Sequence, residues 1–166
     1  MKKVIVTGGS GFIGSNLVKY LLKKKYFVIN IDSLKYSANP YNTKNLSTNK
    51  NYIFFKLDLN NKNKISKILK KYKPDGIFNL AAETHVDRSI DTPYNFIHSN
   101  ILGTYNLLES IVAFKKKIKL IHISTDEVYG DVIKGRSDEK YAYNPSSTYS
   151  SNTICFDSDT SRRICW

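Results

Sequence analysis

The sequence predicts an α/β fold in which a doubly wound parallel sheet carries helices on both faces. Short β-branched and aromatic runs alternate with longer segments whose apolar residues repeat at helical spacing. The first run, from Val4 to Thr7, leads into a glycine-rich turn, and the second, from Phe27 to Ile31, ends at Asp32. Strands that alternate with helices pair in parallel, because each helix carries the chain back to the same end of the sheet.

The remaining elements continue this alternation along the chain. Further strands are expected where short apolar runs are bounded by polar residues or glycine: Tyr52 to Leu57, Gly76 to Leu80 and Ile118 to Ile123. Helices are expected where apolar residues recur every three or four positions: Ile13 to Leu22, a segment around Ile65 to Leu69 that ends before Pro74, and about Tyr94 to Phe114. Residues 33–50 are polar and predict a long loop.

The composition suits one domain of ordinary size. With 166 residues, of which 41% are hydrophobic, the chain has enough apolar side chains for a sizeable core. No apolar stretch approaches the roughly 18 residues of a membrane span, and the first apolar run is too short for a signal peptide. The cysteines, Cys155 and Cys165, lack the paired spacing of a zinc site. These features predict a cytoplasmic protein without a metal site or a membrane partner.

The net charge of +12 allows two interpretations. A basic surface can bind nucleic acid by neutralising phosphates. The lysines, however, cluster in segments predicted as helix surfaces, such as residues 62–71 and 115–117, and no aromatic-flanked basic cluster offers a stacking platform. We therefore interpret the charge as a solvated surface and expect no nucleic-acid partner.

Gly8, Gly11 and Gly14 have the spacing of a phosphate-binding turn between a strand and a helix. Glycine permits the tight turn and lets the backbone approach a pyrophosphate, which then lies on the N-terminus of the helix. The motif follows a predicted strand, opens a predicted helix and precedes a second strand that ends in an acid, which is the context of a Rossmann-like dinucleotide site. We expect this turn, with Phe12 and Ile13, to hold the pyrophosphate of NAD.

The acid that ends the second strand predicts the choice of cofactor. A carboxylate at Asp32 would accept hydrogen bonds from the adenosine ribose and repel a 2′-phosphate, which favours NAD over NADP, although a turn cap is an alternative role. Asp58 and Leu59 are expected beside the adenine, and Asp58 also suits an Asx-turn. Further cofactor contacts are expected after the fourth strand, where small side chains let a flat ring lie close: Leu80, Ala81 and Ala82.

Two segments at the same edge of the predicted sheet carry candidate chemistry. Thr84 and His85 follow the fourth strand and are expected to contact substrate, although His85 would equally satisfy loop backbone. Asp126 and Glu127 follow the fifth strand, where two adjacent carboxylates suit an acid and base pair. The alternative for the second pair is an ordinary solvated loop.

Four strings in this sequence resemble the extended short-chain dehydrogenase/reductase superfamily: TGGSGFIG at 7–14, DSLKYSAN at 32–39, AAETHVDRSI at 81–90 and STDEVYGD at 124–131. The last two are more specific and resemble the dTDP-glucose 4,6-dehydratase family, because sister epimerases generally lack a Thr-Asp-Glu run at this point. The resemblance extends from residue 1 to about residue 151.

The resemblance implies a redox-neutral lyase reaction on a nucleotide-activated glucose, with NAD as cofactor. Oxidation at C4 acidifies C5, water is lost across C5 and C6, and the hydride returns to C6 to give a 4-keto-6-deoxy sugar. It implies that Tyr149 accepts the O4 proton, Glu127 removes the C5 proton and Asp126 helps to expel the C6 hydroxyl. Thr125 would hydrogen-bond near O4, as both a catalytic and a substrate-binding residue.

The sequence departs from the family pattern after Tyr149. The family's Tyr-x-x-x-Lys motif has its lysine four residues after the tyrosine, where this chain has Thr153. The lysine holds the nicotinamide ribose, and its charge helps to lower the pKa of the phenol from about 10. Residues 152–166 also contain no lysine, both cysteines and the only tryptophan.

We therefore predict a truncated, Rossmann-like NAD-binding domain over residues 1–151, without the family's C-terminal substrate domain, and an atypical, non-native tail over residues 152–166. Reading the coding DNA in its other frames tests this interpretation, which requires a frame that restores the lysine after Tyr149. The resemblance also implies a homodimer, whose interface the truncation would affect.

Three alternatives stay open on the sequence. Another member of the superfamily, such as an epimerase or a UDP-sugar dehydratase, would share the NAD site, although a 4-epimerase needs no C5 base like Glu127. An inactive NAD-binding module is favoured by Thr153. A basic nucleic-acid binder would show a steep salt dependence of binding.

Overall fold

The centre of the fold is a parallel sheet, and the computed structural model describes residues 1–132, 135–138 and 140–155. Its strands are β1 (Lys3–Thr7), β2 (Phe27–Asp32), β3 (Tyr52–Lys56), β4 (Gly76–Asn79) and β5 (Lys119–His122). They pair in the order β3-β2-β1-β4-β5, with every neighbouring pair parallel. This is the doubly wound sheet that the alternation of elements predicted.

Helices and helical turns connect these strands. The α-helices are α1 (Phe12–Lys23), α2 (Lys62–Tyr72), α3 (Val86–Asp91), α4 (Pro93–Phe96), α5 (Gly103–Val112) and α6 (Thr148–Ile154). A π-helical segment, Ile97–Leu102, joins α4 to α5, and 3-10 helices span Pro40–Leu46 and Asp126–Tyr129. Within the described part of the chain, no helix has both the length and the apolar character needed to cross a bilayer.

The core lies in two layers, because successive strand residues point to opposite faces of the sheet. One face packs against α1, in a cluster that contains Val4, Val6, Val18, Leu21 and Val28. The other packs against α2 and α5, in a cluster whose fully buried members include Ile5, Ile29, Ile65, Leu69 and Leu107. Full burial of such a side chain contributes about 1.5–3 kcal/mol, so the two layers stabilise the sheet. Because all neighbouring strands are parallel, their carboxyl ends lie at one edge.

The sequence predicted one continuous α-helix from about Tyr94 to Phe114, and this prediction was wrong. The chain instead forms α4, the π-helical segment and α5 in succession. The π segment contains Asn100, whose Oδ1 accepts the N–H of Glu83 at 2.8 Å and whose Nδ2 donates to the Glu83 carbonyl oxygen at 2.9 Å. Such a contact joins residues far apart in sequence, so hydrophobic periodicity could not reveal the interruption.

Two other segments contain helices that were not predicted. Residues 33–50, expected as a loop, include the 3-10 helix Pro40–Leu46. Asn39 begins it, since its Oδ1 accepts the N–H of Tyr41 at 3.0 Å and a proline at the first helical position is preorganised for the turn. Helix α3 falls in a segment for which no element was predicted, because its six residues are too few to show a helical period.

Helix α6 runs across the boundary predicted between residues 151 and 152. Ser147 and Ser150 form a capping box at its start, and the hydroxyl of Thr153 donates to the carbonyl oxygen of Tyr149 at 3.0 Å. The first residues of the predicted tail are thus helical and continuous with the domain, while the boundary itself stays a prediction. Residues 156–166 of that tail, with Cys165, lie outside the described residues.

Candidate functional site

An open cleft lies at the carboxyl ends of the strands, lined by residues that follow each of β1 to β5. The chain continues from β1 to β2 on one side of it and later to β4 on the other, and ligands of doubly wound sheets bind at such a switch point. The volume of the cleft, about 340 Å³, is in the range of small-molecule sites. Every residue that the sequence predicted to hold the cofactor lines this cleft: Gly8, Gly11, Phe12, Ile13, Gly14, Asp32, Asp58, Leu59, Leu80, Ala81 and Ala82.

The turn between β1 and α1 has no room for side chains at three of its glycines, and at Gly8 and Gly14 the obstacle is backbone. Gly8 has a φ of +68°, which L residues rarely adopt, and a Cβ there would lie 2.9 Å from the backbone nitrogen of Ala81. A Cβ on Gly14 would overlap the carbonyl oxygen of Gly8 and lie 2.9 Å from the Cα of Gly9. These glycines therefore let α1 approach the turn, and let the turn approach the segment after β4.

The N-terminus of α1 opens into the cleft. Gly11 is its N-cap and has no side chain that could satisfy the first N–H groups, and the first turn contains no acidic residue. Phe12 and Ile13, which begin the helix, have exposed side chains at the wall of the cleft. Unsatisfied N–H groups and the helix dipole together make this position suitable for an anion such as a pyrophosphate.

Thr7 joins the ends of the two central strands. Its hydroxyl donates to Oδ1 of Asn79 at 2.6 Å and accepts the N–H groups of Leu80 and Ala81, both at 3.2 Å. Because these bonds are buried or partly buried, they hold the segment after β4 against the end of β1. This contact brings Ala81 beside the glycine turn, in the geometry that requires glycine at position 8.

Asp32 acts as a turn cap, one of the two roles that its position in the sequence left open, and it also lines the cleft. Its carboxylate is buried and accepts the backbone N–H groups of Ser10 at 2.9 Å and Leu34 at 2.8 Å. The bond to Ser10 ties the end of β2 to the glycine turn, whereas the bond to Leu34 is a local cap. A carboxylate has about four acceptor positions, so capacity is left for ribose hydroxyls in the cleft.

Polar residues that the sequence did not predict also line the cleft, among them Lys35, Glu83 and Ser99. Nζ of Lys35 lies 3.7 Å from Oδ2 of Asp58 and 3.6 Å from Oε1 of Glu83. The strings at 32–39 and 81–90, which carried the family resemblance, contain Lys35 and Glu83 and were the signal that could have found them. The carboxylates of Asp58 and Glu83 are thus both paired with one lysine. No group of three or more His, Cys, Asp or Glu that could hold a metal ion occurs in the described ranges.

The residues predicted to contact substrate or to carry the chemistry lie partly in and partly beside the cleft. Tyr149 and Thr84 line it, whereas four others do not: Thr125, Asp126, Glu127 and His85. Tyr149 nevertheless hydrogen-bonds the side chain of Thr125. The Thr125 hydroxyl also accepts the N–H of Glu127 at 3.3 Å, as the N-cap of the 3-10 helix after β5. His85 is exposed at the start of α3, and its backbone hydrogen-bonds the hydroxyl of Tyr36.

Burial and neighbouring carboxylates raise the pKa of both predicted proton-transfer groups. Burial is the main cause of the raised pKa of Tyr149, and the charges of Glu127 and Asp126 add to it, while the hydrogen bond with Thr125 offsets only part of the rise. Burial also raises the pKa of Glu127, and repulsion by Asp126 adds to that rise. The shift makes Glu127 a stronger base when ionised, but it keeps the Tyr149 phenol protonated at neutral pH.

Asp126→Asn is expected to lower the pKa of Glu127 toward its ordinary value without reaching it. The substitution removes the repulsion of the adjacent carboxylate, whereas burial, the larger cause, remains. NMR titration of the Glu127 carboxyl carbon measures the change, seen as a larger ionised fraction at a given pH. Asp91→Asn, which removes the same charge from an exposed position in α3, serves as the control. An unchanged pKa in Asp126→Asn would mean that the two carboxyl groups do not interact.

A small cavity lies beside Tyr149 and is lined in part by residues of α5 and α6. Its volume of about 20 Å³ is enough for one water molecule. Thr104 and Asn152 line it, and neither Oγ1 of Thr104 nor Nδ2 of Asn152 has a hydrogen-bond partner within the described residues. Thr153 also lines this cavity, at the position where the family motif has its lysine. A threonine there supplies no positive charge to the phenol.

Proteins of similar sequence act on sugar nucleotides. A dTDP-glucose 4,6-dehydratase of Haemophilus influenzae is 44% identical over 163 residues, an alignment that covers 92% of this chain and 48% of the relative. The chain spans about half the length of the curated relatives that it matches. The resemblance predicted from the four strings is therefore confirmed across most of the chain.

Two solved structures show the same fold with a bound cofactor. The dTDP-glucose 4,6-dehydratase of Bacillus anthracis, in complex with NAD, has a TM-score of 0.86 and 35% identity, and the match covers 99% of this chain and 52% of that one. The UDP-glucose 4-epimerase of Thermus thermophilus, also in complex with NAD, has a TM-score of 0.84 and 31% identity, over 96% of this chain and 50% of that one.

A family model described as GDP-mannose 4,6 dehydratase matches residues 5–156. The match includes the glycine turn, the acids after β2 and β3, the segment after β4 and the Thr-Asp-Glu run after β5. It covers well over half of the 166 residues. The chain therefore belongs to the family described as GDP-mannose 4,6 dehydratase.

Proposed function

We propose that this chain binds NAD in the cleft and serves the dehydration of a nucleotide-activated glucose, dTDP-glucose in the first place, to its 4-keto-6-deoxy form. One observation carries the proposal. Residues predicted separately to hold the cofactor, from the glycine turn to the segment after β4, all line the same cleft at the carboxyl edge of the sheet. The NAD complexes of relatives that share this fold support the choice of cofactor.

The residues of the cleft fit NAD in shape and in charge. Gly8 and Gly14 let the backbone of the turn pack closely against its neighbours, and the N-terminus of α1 offers N–H groups to the pyrophosphate. Asp32 and Asp58 supply acceptors at the adenosine end, where a 2′-phosphate would meet a carboxylate. When bound, NAD would supply the means to oxidise C4 of the sugar and to reduce C6 afterwards.

The chain's own residues would move the protons of the reaction. Tyr149 would accept the proton of the 4-hydroxyl, with Thr125 hydrogen-bonded beside it. Glu127 would remove the proton at C5, and Asp126 would donate a proton to the C6 hydroxyl, which leaves as water. One carboxyl group takes up a proton as the other gives one away, so the dehydration step itself is balanced. Thr84 and His85 would contact the sugar.

A second candidate function is an NAD-binding module that does not turn over substrate. The raised pKa of Tyr149 favours it, because burial and two nearby carboxylates act against ionisation of the phenol. Thr153 donates its hydroxyl to a backbone carbonyl and adds no cation near Tyr149. Proton transfer by a positioned group contributes roughly 10²–10⁴-fold to a rate, so a phenol that stays protonated would slow the first step by a similar factor.

Calorimetric titration of the purified chain with NAD and with NADP tests the binding site. We expect NAD to bind more tightly than NADP by about tenfold or more, because of the carboxylate at Asp32. Formation of a 4-keto sugar from dTDP-glucose, with UDP-glucose assayed in parallel, tests the reaction. NAD binding with turnover supports the dehydratase, NAD binding alone supports the second candidate, and failure to bind NAD contradicts both.

The same proposal includes a homodimer and a cytoplasmic location, where NAD and sugar nucleotides are available. Large apolar side chains are exposed along the helical stretch from α3 to α5, including Ile90, Tyr94, Ile97, Leu102 and Val112. An apolar surface of this kind is typical of a protein interface. Sedimentation analysis tests the dimer, and a concentration-independent monomer would contradict it.

A further inference from the structure

The side chain of Asn60 fastens the loop after β3 to the π-helical segment. Its Nδ2 donates to the carbonyl oxygen of His98 at 2.8 Å and lies 3.1 Å from Nδ1 of the same histidine. Its Oδ1 accepts from Nδ2 of Asn106, in α5, at 3.2 Å. The loop that carries Asp58 is thus held by a neighbouring helix as well as by its own turn.

Asn60 also fixes the direction of the Asp58 carboxylate. Oδ1 of Asp58 accepts both the backbone N–H and the Nδ2 of Asn60, each at 2.9 Å. The other oxygen, Oδ2, lies 3.7 Å from Nζ of Lys35, a residue that lines the cleft. One oxygen is therefore occupied by the loop, and the other is on the side of the cleft.

The charge state of Asp58 makes this oxygen an acceptor only. Burial opposes ionisation, but the hydrogen bonds from Asn60 and the charge of Lys35 outweigh it and lower the pKa of the carboxyl. At neutral pH an ionised carboxylate can accept hydrogen bonds and cannot donate them. A ligand group that faces Oδ2 must therefore be a donor.

We propose that Asn60 is a positioning residue that holds Oδ2 of Asp58 toward the cleft as an acceptor for the exocyclic amino group of adenine, and thereby makes the site select adenine over a 6-oxo purine. The proposal rests on the proposed binding of NAD. Adenine presents an amino group at position 6, whereas hypoxanthine presents a carbonyl oxygen. A carbonyl oxygen opposite a fixed carboxylate oxygen would lose its hydrogen bond to water and gain none.

The test compares the binding of NAD with that of nicotinamide hypoxanthine dinucleotide by calorimetry. The native chain is expected to prefer NAD by about tenfold to hundredfold. Asp58→Asn is expected to invert the preference. The two donors of Asn60 require the amide oxygen on their side, so the amide NH₂ would face the cleft and donate to the 6-oxo group.

Asn60→Ala, made in the native chain and in Asp58→Asn, isolates the positioning role. Only the backbone N–H of residue 60 would remain on residue 58, and the tie to His98 would be lost. We expect the preference for one base over the other to shrink by about tenfold in both backgrounds. A structural role alone would weaken the two dinucleotides equally, so preferences that stay within about twofold would overturn the proposal.

Two further variants keep the result interpretable. Asn61→Ala is the control, because the Asn61 side chain caps α2 through the N–H of Lys64. Asn61 contacts Asp58 only through its backbone N–H, which donates to the Asp58 carbonyl oxygen at 3.0 Å and which alanine keeps. Asn106→Ala removes the bond to Oδ1 of Asn60 and serves if Asn60→Ala does not fold. It is expected to reduce the preference in the same direction, and an unchanged preference would overturn the proposal. A native chain that binds neither dinucleotide would contradict the proposed function instead.

Discussion

Replacing Gly14 by alanine is expected to abolish NAD binding and to destabilise the domain. The added methyl group would overlap the carbonyl oxygen of Gly8 and lie 2.9 Å from the Cα of Gly9. These are backbone atoms, which cannot move aside by changing a rotamer, so α1 must shift away from the turn. Overpacking of this kind costs about 1–3 kcal/mol. The shift also moves the first N–H groups of α1 away from the position that a pyrophosphate would take.

Calorimetric titration with NAD and unfolding in urea measure the two effects of Gly14→Ala separately. Gly76→Ala is the matched control, because a Cβ there would lie 3.4 Å from the carbonyl oxygen of Lys119 and 3.9 Å from Cγ1 of Val4. These are ordinary contacts, so we expect unchanged NAD affinity and a change in the free energy of unfolding below about 1 kcal/mol. Normal NAD binding by Gly14→Ala would mean that the pyrophosphate does not lie on this turn.

The features that could be predicted from the sequence follow short-range rules. The glycine turn was recognisable because the strand, the turn and the helix are consecutive in the chain. The backbone of Leu80 and Ala81, which crowds Gly8, is distant in sequence and could not be predicted in this way. Strand β1 ends at the predicted residue, Thr7, and β2 extends only to the next residue after its predicted end, Asp32. The cleft then follows from topology, since parallel strands bring their carboxyl ends to one edge.

The features that could not be predicted depend on side chains that are distant in sequence. Nothing near Lys35 indicates that its ammonium group lies between two acids from other loops. The side chain of Asn100 makes two hydrogen bonds with the backbone of Glu83, and it does so from a segment that periodicity predicted to be a regular helix. In each case the two partners meet only because the folded chain packs their segments together, and the local sequence does not encode that packing.

For Asp32 the local sequence left two roles open, a ribose acceptor and a turn cap, and the geometry of its carboxylate shows why the sequence could not separate them. The same carboxylate holds the glycine turn through Ser10, caps its own strand end through Leu34 and lines the cleft. A short acidic side chain at a strand end can perform all three tasks at once, so a motif alone cannot separate them. The role toward NAD stays a prediction until binding is measured.

Thr153→Lys is expected to lower the pKa of Tyr149, which burial and two carboxylates hold above its ordinary value. Thr153 lies one helical turn after Tyr149, and both residues line the small cavity behind the cleft. An ammonium group within about 4–6 Å favours the phenolate and lowers such a pKa by about 1–3 units. The longer side chain needs more than the 20 Å³ or so of that cavity, so we expect a loss of stability of about 1–3 kcal/mol.

NMR titration of protein labelled at tyrosine Cζ measures the pKa, and Tyr149→Phe identifies the signal. Ser151→Lys is the matched control, because it adds the same charge at an exposed position of α6. If Thr153→Lys leaves the pKa unchanged, residue 153 does not act on the phenol, and the departure from the family motif does not explain the protonated tyrosine. If only Thr153→Lys lowers the pKa, and sugar dehydration increases with it, a single side chain separates this fold from one with a working proton acceptor.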